Sequence, residues 1–248
     1  MTTHLFDHLR DIVQHTTALG IIDLVKVSGT TDETTINAVS DDKSVIIQAK
    51  TKGAVPEFIG TFGMPNLGKL NIILGIPEYK ENAVLSVVRK NNADANSPLS
   101  GIHFANKGGD FKNDYRFMGE ELVNDKVRSM KFKGVTWNID IEPTNNAIQK
   151  FKYQASANSE ETVFSVKMSG SDLQFNFGDH SSHGGSFVFA TGVNAKFNQS
   201  WSWPVNVVLS ILGLPGDKAL KFSDEGAAMI TVDSGLIDYE FIIPAQQK

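Results

Sequence analysis

The residue types best suited to catalysis or metal binding gather in one short stretch, Gly-Asp-His-Ser-Ser-His-Gly-Gly, at positions 178–185. A serine activated by a histidine can act as a nucleophile, and histidine with aspartate can bind a metal ion. The spacing of Asp179, His180, Ser182 and His183 matches no hydrolase or zinc motif. Strand-like segments flank the stretch on both sides, so we interpret it as a polar hairpin loop.

Other residues that could do chemistry are absent or scattered. The sequence contains no cysteine, which excludes disulfides, thiolate zinc sites and cysteine nucleophiles. The histidines at positions 4, 8, 15 and 103 lie far apart in the sequence. The Gly-Lys pair in the segment 68–75 is not followed by the serine or threonine of a phosphate-binding loop. We therefore predict a protein that is not an enzyme, with no catalytic residue, metal or cofactor.

The charge balance limits how the protein could meet nucleic acid. The 248 residues carry a formal net charge of −5, with 16 basic and 16 acidic side chains in residues 1–134 and 7 basic and 12 acidic in residues 135–248. A protein that bound nucleic acid over its whole surface would be basic. Any such contact must use a local basic patch. No run of 18 apolar residues occurs, so we predict no membrane span.

Four amphipathic segments are the elements that would position such a patch. Apolar residues recur at helical spacing in four segments: His4–Ala18, Asn66–Gly75, Asn145–Ala157 and Val205–Leu212. The polar faces of the first three carry cations: Arg10, Lys69, Lys150 and Lys152. The fourth polar face offers only Asn206 and Ser210.

The chain repeats itself. Leu74-Gly75-Ile76-Pro77 corresponds to Leu212-Gly213-Leu214-Pro215 at an offset of 138 positions. Around both copies the pattern reads helix, about four strands, helix and about three strands. We therefore predict an α+β protein of two similar domains, 1–119 and 135–248, each with two helices packed on antiparallel sheet. A connecting loop would span 120–134, where apolar and polar residues no longer alternate clearly and charged residues become more frequent.

Three segments carry a family resemblance. They are the C-terminal Tyr-Glu-Phe-Ile-Ile-Pro-Ala (239–245), the hairpin-like segment 34–49 with Val39 at its turn, and the strand-to-helix segment 200–212. The chain resembles the DNA sliding clamps of the two-domain type. It is most similar to those of T4-type bacteriophages, which share the very short segment before the first helix. The resemblance covers nearly the whole chain in order and length.

The resemblance implies a function as well as a fold. Three subunits would join head to tail into a homotrimeric ring, with sheets outside and twelve helices lining the hole. The ring would encircle duplex DNA and raise the processivity of the replicative DNA polymerase, after loading by an ATP-dependent clamp loader. It would work in the cytoplasm, that of a bacterial host if a phage encodes it. Contacts with DNA phosphates, independent of sequence, would come from Arg10, Lys69, Lys150 and Lys152.

The resemblance also assigns two protein-binding surfaces. Subunits would join through two strands, one with Asp114, Tyr115, Arg116, Phe117 and Met118, the other with Ser186, Phe187, Val188, Phe189, Ala190 and Thr191. Partner peptides would bind a groove between the domains, under the connecting loop. The groove would be formed by Val39, Val45, Leu122, Val123, Val127, Ile242 and Pro244.

One alternative from another class stays open at this point. A β-rich structural or interaction protein with duplicated domains, such as a virion component, would show the same composition and the same internal repeat. A discrete trimer in solution would favour the clamp over this alternative.

Overall fold

The computed structural model describes residues 2–80, 83–94, 97–127, 132–178 and 183–246. The chain forms two compact units. The first unit consists of Met1–Lys131 and Ser234–Tyr239, and the second consists of Phe132–Asp233 and Glu240–Lys248.

Three α-helices belong to the described part of the first unit. They are α1 (Thr2–Thr17), α2 (Leu67–Leu74) and α3 (Glu120–Lys126). Helices α1 and α2 pack against each other, because each has an apolar face at helical spacing. The buried residues of these faces are Leu5, Leu9, Ile12 and Val13 in α1 and Leu67, Leu70, Ile73 and Leu74 in α2.

The strands of the first unit form two antiparallel sheets. The first sheet has the order β4-β1-β2-β3, and the second has the order β5-β6-β7. The strand bounds are β1 (Leu24–Gly29), β2 (Thr34–Val39), β3 (Ile46–Thr51), β4 (Gly60–Pro65), β5 (Val84–Arg89), β6 (Leu99–Ala105) and β7 (Lys112–Arg116). Side chains alternate between buried and half-exposed along β2, as expected for a sheet with one face on a core.

The predicted hairpin is formed by β2 and β3. Val39 pairs with Ile46 at its end, so Val39 lies next to the turn as expected. The turn is tied by Asp42, whose Oδ1 accepts hydrogen bonds of 2.7 Å from the hydroxyls of Ser40 and Ser44. The hydrogen bond from Ser40, and then those from Ser44, lower the pKa of the Asp42 carboxyl below its usual value.

The second unit contains two helices, α4 (Asn145–Ala157) and α5 (Val205–Leu212), with the bounds that the sequence predicted. The hydroxyl of Thr144 caps α4 by accepting a hydrogen bond of 3.1 Å from the backbone N–H of Ala147. Helices α4 and α5 pack together as α1 and α2 do in the first unit.

The strands of the second unit also form two antiparallel arrays. One has the order β11-β10-β9-β12, and the other contains β8, β13 and β14 side by side. The strand bounds are β8 (Ile139–Ile141), β9 (Val163–Ser169), β10 (Asp172–Phe177), β11 (Gly185–Ala190), β12 (Ser202–Pro204), β13 (Asp217–Ser223) and β14 (Ala227–Asp233). The last strand, β15 (Ile237–Pro244), begins in the first unit and ends in the second.

Phe151 is the centre of an aromatic core in the second unit. Its side chain is fully buried, and its ring lies 4.8 Å from that of Phe164 and 5.3 Å from that of Phe175, centroid to centroid. Phe175 in turn stacks on Phe189 at 4.2 Å. These rings fix α4 on the sheet, because aromatic side chains bury large apolar areas in specific geometries.

The predicted repeat is confirmed in the described residues. The first unit runs α1, β1–β4, α2, β5–β7, and the later chain runs α4, β9–β12, α5, β13–β15. Each pattern is one helix, four strands, one helix and three strands. Two elements fall outside the repeat: β8 precedes α4, and α3 occupies residues 120–126, which the sequence analysis placed in a connecting loop.

Candidate nucleic-acid interface

The first unit exposes two of the four predicted cations on paired helices. Arg10 lies on the exposed face of α1, opposite buried Leu9 and Ile12. Lys69 lies on the exposed face of α2. Neither side chain forms an ion pair within the described residues. Both cations are exposed, so both can meet an anion from solvent.

The second unit exposes the other two cations on α4. Lys150 and Lys152 are exposed, on either side of buried Phe151. The helix contains no acidic residue, although residues 135–248 hold 12 acidic and only 7 basic side chains. The same face exposes Tyr153, which is 70% accessible. On α5, Asn206 is exposed and Ser210 is half-buried. The exposed face of α4 thus carries two cations and no acid of its own, although Lys150 also lines a cleft with Asp140, Glu142 and Asp172.

A hydrogen-bonded cluster holds α1 in the first unit. The hydroxyl of Tyr239 donates a 2.6 Å hydrogen bond to Oδ1 of Asp11, and that of Ser234 donates one of 3.1 Å to the same oxygen. The ring of His15, one turn further along α1, stacks on Tyr239 at 4.6 Å. The cluster ties the helix that carries Arg10 to a segment more than 220 positions away in the chain.

Two buried tyrosines make the first unit sensitive to alkaline pH. Burial, and then the nearby carboxylate of Asp11, raises the pKa of Tyr239 well above its ordinary value. Burial, and then Asp23, also raises the pKa of Tyr115, whose hydroxyl donates to the backbone oxygen of Pro65. Both pKa shifts favour the neutral phenol in the folded state. The folded state therefore has its full stability below the unfolded pKa of about 10, and it loses stability as the pH rises through the folded pKa.

We therefore expect the free energy of unfolding to fall more steeply above about pH 10 in the natural sequence than in Tyr115→Phe. Urea unfolding between about pH 8 and pH 11 measures this slope. Tyr153→Phe, at an exposed tyrosine, is the control and should keep the natural slope. Equal slopes in all three proteins would contradict the assignment.

Most of the residues predicted for the subunit interface lie at two sheet edges, but the backbone of Met118 already exchanges two hydrogen bonds with Gly63 of β4. β7, which contains Asp114–Arg116, is the outer strand of the sheet β5-β6-β7, and β11 is the outer strand of the sheet β11-β10-β9-β12. On β7 the side chain of Tyr115 is buried, whereas Asp114 and Arg116 are exposed. The carboxylate of Asp114 accepts a hydrogen bond of 2.8 Å from Nδ1 of His103 on the neighbouring strand β6. Phe189 of β11 is buried in the aromatic core.

The residues predicted for the partner groove differ in accessibility. Four are buried within their own units: Val45, Val123, Val127 and Ile242. Val39 is half-buried, Pro244 is exposed, and Leu122 on α3 is 63% accessible. Only these last three offer apolar surface to a partner.

The catalytic or metal-binding reading of the 178–185 stretch gains no support. Asp179, His180 and Ser182 lie outside the described residues. Among the residues that are described, no cluster of three or more histidine, aspartate or glutamate side chains could hold a metal ion. No helix in the described part of the chain is long and apolar enough to cross a membrane.

Comparison with known proteins identifies the fold. No protein-family model matches the chain, and no curated protein matches its sequence. Two solved archaeal structures match it over nearly the full length. One is PCNA from A. fulgidus bound to the C-terminal region of FEN-1, with a TM-score of 0.66, 9% identity, and coverage of 98% of this chain and 96% of that chain. The other is PCNA from Thermococcus kodakaraensis, with a TM-score of 0.65, 9% identity, and coverage of 97% of each chain.

PCNA is a sliding clamp and not an enzyme. The predicted α+β clamp fold, with two similar domains of paired helices on antiparallel sheet, is therefore confirmed. The four cations and two edge strands described above lie in a chain that has the fold of the sliding clamps.

Proposed function

We propose that this protein is a sliding clamp that encircles duplex DNA and tethers the replicative DNA polymerase. One observation carries the proposal: the clamp fold extends over nearly the whole chain, and its exposed helix faces carry cations that form no ion pair within the described residues, although the chain is acidic overall. A closed ring is retained on DNA by topology, so a few phosphate contacts suffice. Such contacts are independent of sequence and exchange readily, which permits sliding.

The ring would be a homotrimer, and at each contact between subunits an edge strand of one sheet would meet a different edge strand of the next subunit. We propose that Asp114–Met118 of one subunit pairs with Ser186–Thr191 of the next. This pairing would satisfy the free backbone groups of β7 and β11, which otherwise offer a template for uncontrolled association. The two surfaces differ from each other, so the contact would be heterologous, and the ring we propose closes after three such contacts. The domains would be 1–119 and 135–248, joined by residues 120–134.

The oligomeric state tests this proposal directly. A homotrimer of the 27.1 kDa chain has three times that mass, about 81 kDa, by size-exclusion chromatography with light scattering. Val188→Asp, which places a charge on the half-buried outer strand β11, should convert the trimer to monomers that remain folded by circular dichroism. A monomeric natural protein, or a large open assembly, would favour a structural protein and count against the clamp.

Partner proteins would dock a short peptide beside Val39, Leu122 and Pro244. These residues are apolar and accessible, as an anchor pocket for hydrophobic side chains requires. We propose the replicative polymerase and an ATP-dependent loader as its ligands. A T4-type phage is the proposed source and the bacterial cytoplasm the proposed location.

Replacing Val39 or Pro244 with aspartate should weaken binding of the polymerase C-terminal peptide while the trimer persists. A charge forced into an apolar anchor pocket costs a few kcal/mol, or roughly a hundredfold in affinity. Fluorescence anisotropy with a labelled peptide measures the loss. Thr31→Asp, at an exposed bend of the first unit, is the control. Unchanged affinity in both test variants would rule out the groove.

A further inference from the structure

A cleft of about 490 Å³ lies in the first unit, lined by residues of α1, of α2 and of the segment after α2. Arg10 comes from α1 and Asn71 from α2, whereas Lys80 directly follows the short 3-10 helix Pro77–Tyr79. The lining is completed by Phe6, Leu74 and Gly75. Among the lining residues that the structure describes, none is acidic.

Neither cation of this cleft has an acidic partner among the residues that the structure describes. Arg10 and Lys80 are both exposed, and neither forms an ion pair or a side-chain hydrogen bond with any residue that the structure describes. In a concave site with partly apolar walls, two cations attract an anion more strongly than they would on a flat surface. The cleft is therefore suited to a negatively charged ligand.

The other lining groups narrow the class of anion. A guanidinium group can bind a phosphate through two parallel hydrogen bonds, and an ammonium group adds a point charge. The exposed side chain of Asn71 adds an amide donor. Phe6 is half-buried and Leu74 buried, so they give the cleft an apolar floor that suits the carbon atoms of a sugar. A phosphate group attached to a sugar matches all of these features.

The second unit does not repeat the cleft. The offset of 138 positions that relates Leu74 to Leu212 also relates Lys80 to Lys218 and Asn71 to Leu209. The ammonium group of Lys218 already donates a 2.7 Å hydrogen bond to the backbone oxygen of Gly216, and Leu209 has no donor. The two halves share a fold but differ in this feature.

We propose that the cleft between α1 and α2 is a discrete phosphate-binding site, formed by Arg10, Lys80 and Asn71 and present once per chain. That this site binds phosphate does not depend on the proposed function; only the identity of the molecule that carries the phosphate does. In a clamp the occupant is a phosphodiester of the DNA backbone, whereas a free nucleotide or inorganic phosphate compound presents the same chemical group.

Binding of inorganic pyrophosphate to the full-length chain tests the site without any ring or DNA. Isothermal titration calorimetry should show one saturable site per chain. The double variant Arg10→Ala/Lys80→Ala should lose at least about tenfold in affinity, because charge-assisted hydrogen bonds are removed. Asn71→Leu, which copies the second unit, should lose severalfold. Lys218→Ala is the matched control and should bind as the natural protein does. Circular dichroism melts verify that every variant is folded.

Binding of duplex DNA at several salt concentrations identifies the occupant. If the DNA backbone fills the site, the double variant should reduce the slope of log affinity against log salt by about 1.8. If the double variant loses pyrophosphate binding but keeps the salt slope for DNA, the site binds free phosphate compounds and not DNA. That result counts against the proposed function. Absence of saturable pyrophosphate binding, or equal binding by the double variant and Lys218→Ala, overturns the site. In that case, any weaker binding of duplex DNA by the double variant would come only from the loss of two positive charges, not from the loss of a site.

Discussion

A variant that lacks all four predicted helix-face cations is expected to lose most of its affinity for duplex DNA and most of the salt dependence of binding. Each phosphate contact contributes about 0.9 to the slope of log affinity against log salt, so the slope should flatten by about 3.6. The loss should be equal for duplexes of unrelated sequence, because phosphates carry no sequence information. The substitutions are Arg10→Ala, Lys69→Ala, Lys150→Ala and Lys152→Ala.

The fold should survive these substitutions. All four side chains are exposed on helices, where alanine is the most favourable residue. A control variant replaces four exposed lysines outside the helices and reaches the same formal net charge of −9, four below the natural −5. Its replaced residues are Lys90, Lys107, Lys167 and Lys196. If both variants lose the same affinity, net charge rather than the helix faces governs binding, and the proposed interface fails.

Phe151→Ala is expected to be the most destabilising single substitution in the second unit. Truncating a fully buried phenylalanine costs about 3–5 kcal/mol, from lost burial and from the cavity that remains. Several rings lose a neighbour at once, including Phe164 and Phe175. Because total stabilities of proteins are about 5–15 kcal/mol, the melting temperature should fall sharply.

The neighbouring tyrosine provides the control for this prediction. Tyr153 lies on the same helix two positions later but is 70% accessible, so Tyr153→Ala should change the free energy of unfolding by about 0.5 kcal/mol or less. Phe151 also lies between Lys150 and Lys152, so loosening α4 should weaken DNA binding before the protein unfolds. Similar stabilities for the two variants, in urea unfolding followed by tryptophan fluorescence, would contradict the role of the aromatic core.

Helix periodicity and the internal repeat predicted most of the fold. The bounds of α4 and α5 agree with the sequence prediction because each has an apolar face that recurs at helical spacing. The prediction missed α3. Its seven residues bury only Val123, so no period is visible, and the helix depends on a contact elsewhere in the chain. A Cβ atom built on Gly63 would lie 2.8 Å from Val123, so the absence of a side chain at Gly63 makes room for that contact.

The candidate site was predicted only in part. Arg10 and Lys69 could be found because each lies on the polar face of an amphipathic helix. Lys80 was missed because it follows a 3-10 turn, where no periodicity indicates which way a side chain points. Its proximity to Arg10 results from the packing of α1 against α2, which joins positions 70 residues apart in one cleft. The repeat offered no signal either, since Lys218, the counterpart of Lys80, donates instead to the backbone oxygen of Gly216.

The return of Ser234–Tyr239 to the first unit determines when that unit can be completed during translation. Asp11 leaves the ribosome before its partner Tyr239, which is synthesised 228 residues later. The nascent first half therefore emerges with a carboxylate at Asp11 that still lacks two of its hydroxyl donors. The second unit, by contrast, consists only of segments that follow residue 131. The first unit therefore reaches its final structure only after residues 132–233, which belong to the second unit, have been synthesised.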